Sequence, residues 1–388
     1  MKNEDNDKDK DDQAVDKAKS LIQKGLKKNQ IVHKVKGKLL PPEDIYEVAK
    51  YRIRAKDKFG ELADKLYFDE WGLRYSTPRL IARYRAERLK CNTIADISCG
   101  VGAQLLFFAE VCDKVYGVEI DKKRALYARL NVKALGLNNV EIIKGDAFSD
   151  DVVNRIRDAD VYFSDPSRPP EEKVRNVDNL EPNPLKVFEK YKDVGDVAFE
   201  LPPQMPPSRV SLEGEKEYTS LNFKLNRLAL YTGELANSER SAVSLPSKEM
   251  VSSEDEEYSV KETGKIDSFL YEVDNTVLKA ELLPQLLGKL DFDARLIQSG
   301  SRRTLLTADE EKDSAFLRRY HVLEVIEFDI PTVKESLKEI GAGKVTLRFS
   351  LDPSEYWNVR NALEEGLKGD KWIYLFNIGG KAVITHEE

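Results

Sequence analysis

Between Thr93 and Leu201 short apolar runs alternate with segments of helical periodicity, and few folds accommodate that alternation. Thr93–Ile97, Lys114–Glu119, Val140–Ile143, Asp160–Ser164 and Val194–Leu201 read as strands. Ala103–Glu110, Lys122–Leu135, Val152–Ile156 and Leu185–Tyr191 read as the helices between them. This rhythm builds an α/β domain, a doubly wound parallel sheet of Rossmann-like type with helices on its faces. Ligands of such sheets sit outside the carboxyl ends of the strands, so functional residues are sought there.

The first strand runs into Ala95-Asp96-Ile97-Ser98-Cys99-Gly100-Val101-Gly102. Gly100 and Gly102 allow a turn whose backbone amides approach a ligand closely. Asp96 is positioned to bind the amino group of an amino-acid moiety. Glu119 closes the second strand, where a carboxylate can accept both hydrogen bonds of a ribose diol. Its competing role, an acid favouring the start of the next helix, suits Asp121 better. After the third strand comes Gly145-Asp146-Ala147-Phe148. Asp146 can accept from an adenine amino group and Phe148 can lie against the ring; alone, Gly145-Asp146 is only a turn. One ligand accounts for all three acids, S-adenosylmethionine (SAM). Thr77, Cys99, Ile120 and Ala147 complete the candidate cofactor set. A dinucleotide enzyme would share the fold, but its Gly-x-Gly-x-x-Gly fingerprint needs a third glycine where Leu105 stands.

The fourth strand ends in Asp165-Pro166-Ser167-Arg168, the candidate catalytic loop. Asp165 would lie beside the methyl group to be transferred, where its carboxylate can orient a nucleophilic nitrogen or take its proton. Arg168 can hold a phosphate. The bland alternative is a polar turn. Leu201-Pro202-Pro203-Gln204-Met205-Pro206-Pro207, after the fifth strand, is either a wall of the substrate pocket or a rigid connection.

A chain of 388 residues, 41% hydrophobic, can bury two cores. Residues 1–40 read as an arm. Its first twelve residues, dense in Asp and Lys, are expected to be disordered, and a short helix follows over Ala14–Leu26. Lys24, Lys27, Lys28, Lys34, Lys36 and Lys38 then stand without an acid among them, either a solvated linker or an arm that follows a phosphate backbone. Residues 41–92 read as helical, with one helix capped by Thr77 and opened by Pro78. Residues 93–246 form the α/β domain, closed by antiparallel edge strands at Tyr218–Phe223, Arg227–Tyr231 and Ser241–Leu245. Residues 247–264 are an acidic linker, and 265–388 a separate α+β domain. No run of about eighteen apolar residues spans a bilayer. Cys91, Cys99 and Cys112 lack pairing or zinc-ligand spacing and the three histidines lie far apart, so a reduced, cytoplasmic protein without a metal centre is expected. The net charge of −7 does not advertise nucleic-acid binding, although a local basic surface suffices for phosphate contacts.

Tyr75-Ser76-Thr77-Pro78, the Asp96–Gly102 loop and Gly145–Phe148 are together similar to the trimethylguanosine synthase family. From about Tyr75 onward the chain more closely resembles a prokaryotic family that joins a class I SAM-dependent methyltransferase domain to a C-terminal THUMP-like domain. Asp165–Arg168, the Glu217–Glu234 stretch, Leu270-Tyr271-Glu272-Val273-Asp274 and the closing strands around Trp372 and Ala382 carry this likeness. The resemblance implies that Asp96, Gly100 and Gly102 form the first SAM motif, Glu119 the ribose acid, Asp146 the adenine acid, and Asp165 the start of the catalytic loop. That loop departs from the Pro-Pro-Trp of trimethylguanosine synthases, so no tryptophan stands there to stack on a cap guanine, and a cap substrate does not carry over. The expected function is methylation of a base in structured RNA, tRNA or rRNA. The alternatives are a small-molecule or protein methyltransferase, and a non-catalytic RNA-binding protein with a SAM-binding fold.

Overall fold

The computed structural model describes residues 2–167, 177–300 and 302–387. The chain divides into two compact units, Met1–Glu215 with Ala229–Asn237, and Lys216–Leu228 with Ser238–Glu388.

In the first unit, β1 (Thr93–Asp96), β2 (Lys114–Glu119), β3 (Val140–Lys144), β4 (Val161–Ser164) and β5 (Asp196–Leu201) pair in parallel in the order β3-β2-β1-β4-β5. β1 is flanked by β2 on one side and β4 on the other, so the direction of winding reverses there and the loops leaving β1 and β4 diverge into a crevice. The helices Leu105–Val111, Lys122–Ala134, Asp150–Arg155 and Pro184–Tyr191 make the crossovers. Side chains fix where three of them start: Asp121, Ser149 and Asn183 accept from the amides of Arg124, Val152 and Lys186. These elements match the expected alternation to within a few residues. So does the assignment of Asp121, rather than Glu119, as a helix cap.

The N-terminal arm is not disordered. Lys2–Gln23 is one helix. Ala14, Val15 and Ala18 are buried in the same core as Ile94, Val115 and Phe163. Asp11 and Asp12, whose charge suggested disorder, are its anchors. Asp11 accepts from the amides of Lys38 (2.6 Å) and Leu39 (2.8 Å). Asp12 accepts from Arg52 and from the Tyr67 hydroxyl, each at 2.7 Å, and pairs with Lys8. Burial would raise the Asp12 carboxyl, but the bonds from Lys8, Arg52 and Tyr67 outweigh it and hold the pKa below the ordinary range. The lysine-rich stretch is packed as well: Ile31, Val35 and Leu40 are buried between its exposed lysines. Thr77 is not a helix cap. The helix is Arg79–Arg88, Pro78 occupies its cap position, and Thr77 is buried.

In the second unit, β6 (Glu215–Leu221, less its first residue), β8 (Arg240–Leu245) and β9 (Glu249–Ser252) lie side by side, while β7 (Leu225–Tyr231) is divided between the units after Leu228. β6 and β8 run parallel, not antiparallel as expected. The remaining strands are β10 (Lys261–Glu262), β11 (Phe269–Val273), β12 (Arg295–Gln298), β13 (Leu305–Ala308), β14 (Leu317–Glu327), β15 (Ala342–Leu347), β16 (Lys371–Ile378) and β17 (Lys381–Glu387). They form a mixed sheet in the order β10-β12-β13-β11-β14-β17-β16-β15. Residues 247–264 are not a linker, because they lie within the second unit and three of their acids are engaged there. Glu249 accepts from the Ser314 hydroxyl and the Ala315 amide, both at 2.6 Å, Glu257 accepts from Gln285, and Asp255 pairs with Lys289. Asn275–Lys279 and Leu283–Leu290 are two separate helices. Glu281 between them has φ +59°, and Pro284, which has no N–H to continue a helix across the break, falls in the first turn of the second helix. Among the described residues no helix is long and apolar enough to cross a membrane.

Candidate active site

The loops leaving β1 and β4 are tied to each other. The Ser98 hydroxyl accepts from the Asp165 amide at 2.9 Å and lies 3.3 Å from the Ser164 hydroxyl, and the Ile97 amide donates to the Phe163 carbonyl at 2.9 Å. Asp96, only 2% exposed, accepts from the Ser98 amide at 3.1 Å. Its carboxyl is pushed up to about 8, first by burial and then by the charges of Asp165 and Glu119, against the pull of the Ser98 amide and Arg85. A buried carboxyl in that state is a receptor for a cation.

Glu119 joins the glycine loop to the next turn. Its two carboxylate oxygens accept from the Gly100 amide (2.9 Å) and the Asp121 amide (2.8 Å). Both glycines are left-handed, Gly100 at φ +56° and Gly102 at φ +78°. They differ in surroundings. A Cβ on Gly102 would meet Ala128 at 3.3 Å, whereas one on Gly100 would meet nothing within 4 Å. Gly102 therefore packs against the helix that follows β2, and Gly100 borders free space. Ile120, directly after Glu119, is 66% exposed, an apolar surface at the mouth of the crevice.

The other expected residues are less uniform. The Cys99 thiol is buried, and a Cβ on Gly117 of β2 would come within 3.1 Å of it, so the side chain faces the sheet. Burial, followed by Asp96 and Glu119, pushes that thiol well above its ordinary pKa, which makes it inert. Asp146 is exposed and accepts from the Phe148 amide at 2.9 Å, while Ala147 is buried. Pro166 is buried; Ser167 is exposed and exchanges backbone hydrogen bonds with Glu181, at 2.7 and 2.8 Å. Arg168 lies outside the described residues.

A profile of the RNA cap guanine-N2 methyltransferase family matches residues 91–208. Proteins from two strains of Mycobacterium tuberculosis, named as uncharacterized S-adenosylmethionine-dependent methyltransferases, are 26% identical over 80% of this chain and 86% of theirs. A crystal structure assigned as a methyltransferase from Porphyromonas gingivalis W83 superposes with a TM-score of 0.76 over 97% of both chains, at 19% identity. The chain is a methyltransferase.

The candidate site also contains residues that the sequence did not single out. Arg85, 3% exposed, forms an ion pair with Glu200 at the end of β5, donates to Gln104 at 2.9 Å and to the Thr77 hydroxyl at 3.4 Å, and lies 4.9 Å from the centre of the Phe163 ring. Its charge is held: burial lowers its pKa, and Glu200, Asp165, Tyr231 and Asp96 more than restore it. A signal was present in Val197-Ala198-Phe199-Glu200-Leu201, where one acid interrupts an apolar strand. Asn131 is a second. Its amide nitrogen donates to the carbonyls of Tyr67 (3.0 Å) and Val101 (2.8 Å), and its oxygen accepts from the Tyr67 amide (2.6 Å), which fixes the glycine loop from behind.

Proposed function

We propose that this methyltransferase transfers a methyl group from S-adenosylmethionine to a base in structured RNA, tRNA or rRNA. S-adenosylmethionine is its cofactor, and the residues fit it. Asp96 would take the amino group, Gly100 and Gly102 would bring backbone amides to the amino-acid moiety, and Glu119 would exchange an amide for the ribose diol. Asp146 and Ala147 would meet adenine beside Ile120, with Thr77 and Cys99 supporting the loop. The cofactor supplies a methyl carbon carried on a positively charged sulfur.

The observation that carries the reading is the meeting of three acids from three strand ends: the Asp165 amide bonds Ser98 of the Asp96 loop and Glu119 bonds Gly100 of the same loop, each at 2.9 Å, and the charges of Asp165 and Glu119 add repulsion to the burial of Asp96. A cationic ligand relieves that repulsion. Asp165 would then face the acceptor atom, orient its lone pair at the methyl carbon and take the proton it sheds. Because the sulfur is already a good leaving group, alignment and exclusion of water would provide most of the acceleration. Pro166 and Ser167, the latter bridged to Glu181, would position the acceptor beside Asp165, and Arg168 would hold a phosphate.

RNA as substrate class is supported by the family profile over residues 91–208. A protein from Oceanobacillus iheyensis named as an uncharacterized RNA methyltransferase adds to this at 35% identity, over only 24% of this chain and 20% of its own length. The second unit, likened by sequence to a THUMP domain, would hold RNA by backbone and shape. Purified protein incubated with methyl-labelled SAM and total RNA is expected to label an RNA fraction, and Asp165→Ala to abolish most of that label. Label appearing in protein or small molecules and in no RNA overturns the substrate class. Equal labelling by the variant removes Asp165 from the chemistry.

A further inference from the structure

The protein has three tryptophans, and Trp71, Trp357 and Trp372 are all on the surface, 45%, 60% and 53% exposed. Each has a cationic side chain over its ring: Arg74, Arg360 and Lys344, respectively. Tryptophan is among the most buried residue types on average, so this distribution requires an explanation outside the core.

Trp71 is the one tied to the catalytic unit's loop. It lies on the short helix Glu70–Tyr75, where it stacks on Tyr75 with ring centres 5.5 Å apart and planes within 8°. Tyr75 is itself 51% exposed. The Arg74 guanidinium lies 5.9 Å from one ring centre and 5.6 Å from the other. The backbone beneath is held firmly. Asp69 caps the helix at the Gly72 amide, the Lys58 ammonium donates to the carbonyls of Leu73 (2.9 Å) and Arg74 (3.3 Å), and the Ser76 hydroxyl donates to Leu73 (2.9 Å). Gly72 fits directly against the glycine loop, since a Cβ there would be 2.7 Å from Val101.

We propose that Trp71 and Tyr75, with Arg74 across them, are a stacking platform for one unpaired base of the RNA substrate. This rests on the reading of RNA as substrate class. Two parallel rings already stacked offer a flat face at little further cost in side-chain freedom, which suits a base and is indifferent to its identity. The guanidinium adds attraction to the rings and a partner for the adjoining phosphate. Single-stranded RNA displays such bases, whereas a duplex keeps them stacked. The contact of Gly72 with Val101 ties the platform to the cofactor loop, so a base held there lies in the segment of RNA presented for methylation.

The test uses the full-length protein with Trp357→Phe and Trp372→Phe, which leaves Trp71 as its sole tryptophan. Titration with single-stranded oligoadenylate is expected to quench the Trp71 emission saturably, and titration with a duplex RNA to quench it far less. Trp71→Leu with Tyr75→Leu should raise KM for RNA roughly five- to hundredfold, the value of one stacked base, with kcat and SAM affinity unchanged. Trp71→Phe and Tyr75→Phe, which keep the rings, should restore KM. No quenching, or an unchanged KM in the leucine variant, overturns the platform, as does quenching by acidic peptides in place of RNA. Quenching without methyl transfer to any RNA leaves the platform standing and overturns the substrate class.

Discussion

Two buried carboxylates in this protein live in opposite electrostatic company. In the second unit Glu272 on β11 is fully matched. Arg303 donates to one oxygen at 2.9 Å, and Arg348 and the Tyr320 hydroxyl serve the other. In the first unit Asp96 has one backbone amide for a partner, two neighbouring carboxylates, and an arginine that is already paired with Glu200. The first arrangement is complete as it stands. The second is stable only with a proton or a cation added. Charge left over in a buried site distinguishes a place where something binds from a place where the chain is braced.

Breaking the arginine that both acids of the first unit lean on should have the largest effect. Arg85→Met removes the buried ion pair with Glu200, and a loss of about 3–5 kcal/mol of unfolding free energy is expected, measured by denaturant titration. The Asp96 imbalance has its own signature in pH. Its folded pKa, about 8, lies above its unfolded value, so its contribution to stability is full below the ordinary carboxylate range and is lost as pH rises through about 8. Binding of a cationic ligand favours the deprotonated form and runs the other way. SAM affinity measured by calorimetry should rise by up to about tenfold per pH unit as pH approaches 8, and Asp96→Asn should flatten both profiles and weaken binding. If SAM affinity is flat from pH 6 to 8, the contrast between the two acids is lost. Glu272→Gln should cost about 1–3 kcal/mol of stability and leave SAM affinity unchanged. The smallest pair sharpens the glycine loop. Gly100→Ala and Gly102→Ala should each cost about 1 kcal/mol for the left-handed backbone. Only the first should weaken SAM binding beyond that, since its methyl group would stand in the open space rather than against Ala128.

The parallel sheet was legible because its alternation is local: each strand is short, apolar and separated from the next by a helix. The placing of Asp96 and Glu119 at the ends of β1 and β2 was legible because the strands themselves were. What escaped depends on distant partners. Asp11 and Asp12 look like solvated charge until Lys38, Leu39, Arg52 and Tyr67 come to meet them. Arg85 reads as one of several surface arginines until Glu200, 115 residues on, closes over it. β14 is hard to read from sequence because its outer half, Val322–Glu327, has no buried position to set an alternation, and the 247–264 stretch escaped because an acidic run with engaged carboxylates is written in the same letters as a linker.

The chain of contacts Asp12, Tyr67, Asn131, Val101 has a practical consequence for anyone trimming this protein. A fragment cut to residues 91–208 would retain every glycine and acid of the cofactor set and lose the scaffolding behind them. It would lack Tyr67, whose backbone holds Asn131 in place, and Arg85, which neutralises Glu200. Such a fragment is a poor choice for crystallisation or for engineering new acceptors. The smallest sensible cut of this unit includes the helix that begins at Lys2, and an affinity tag belongs elsewhere on the chain.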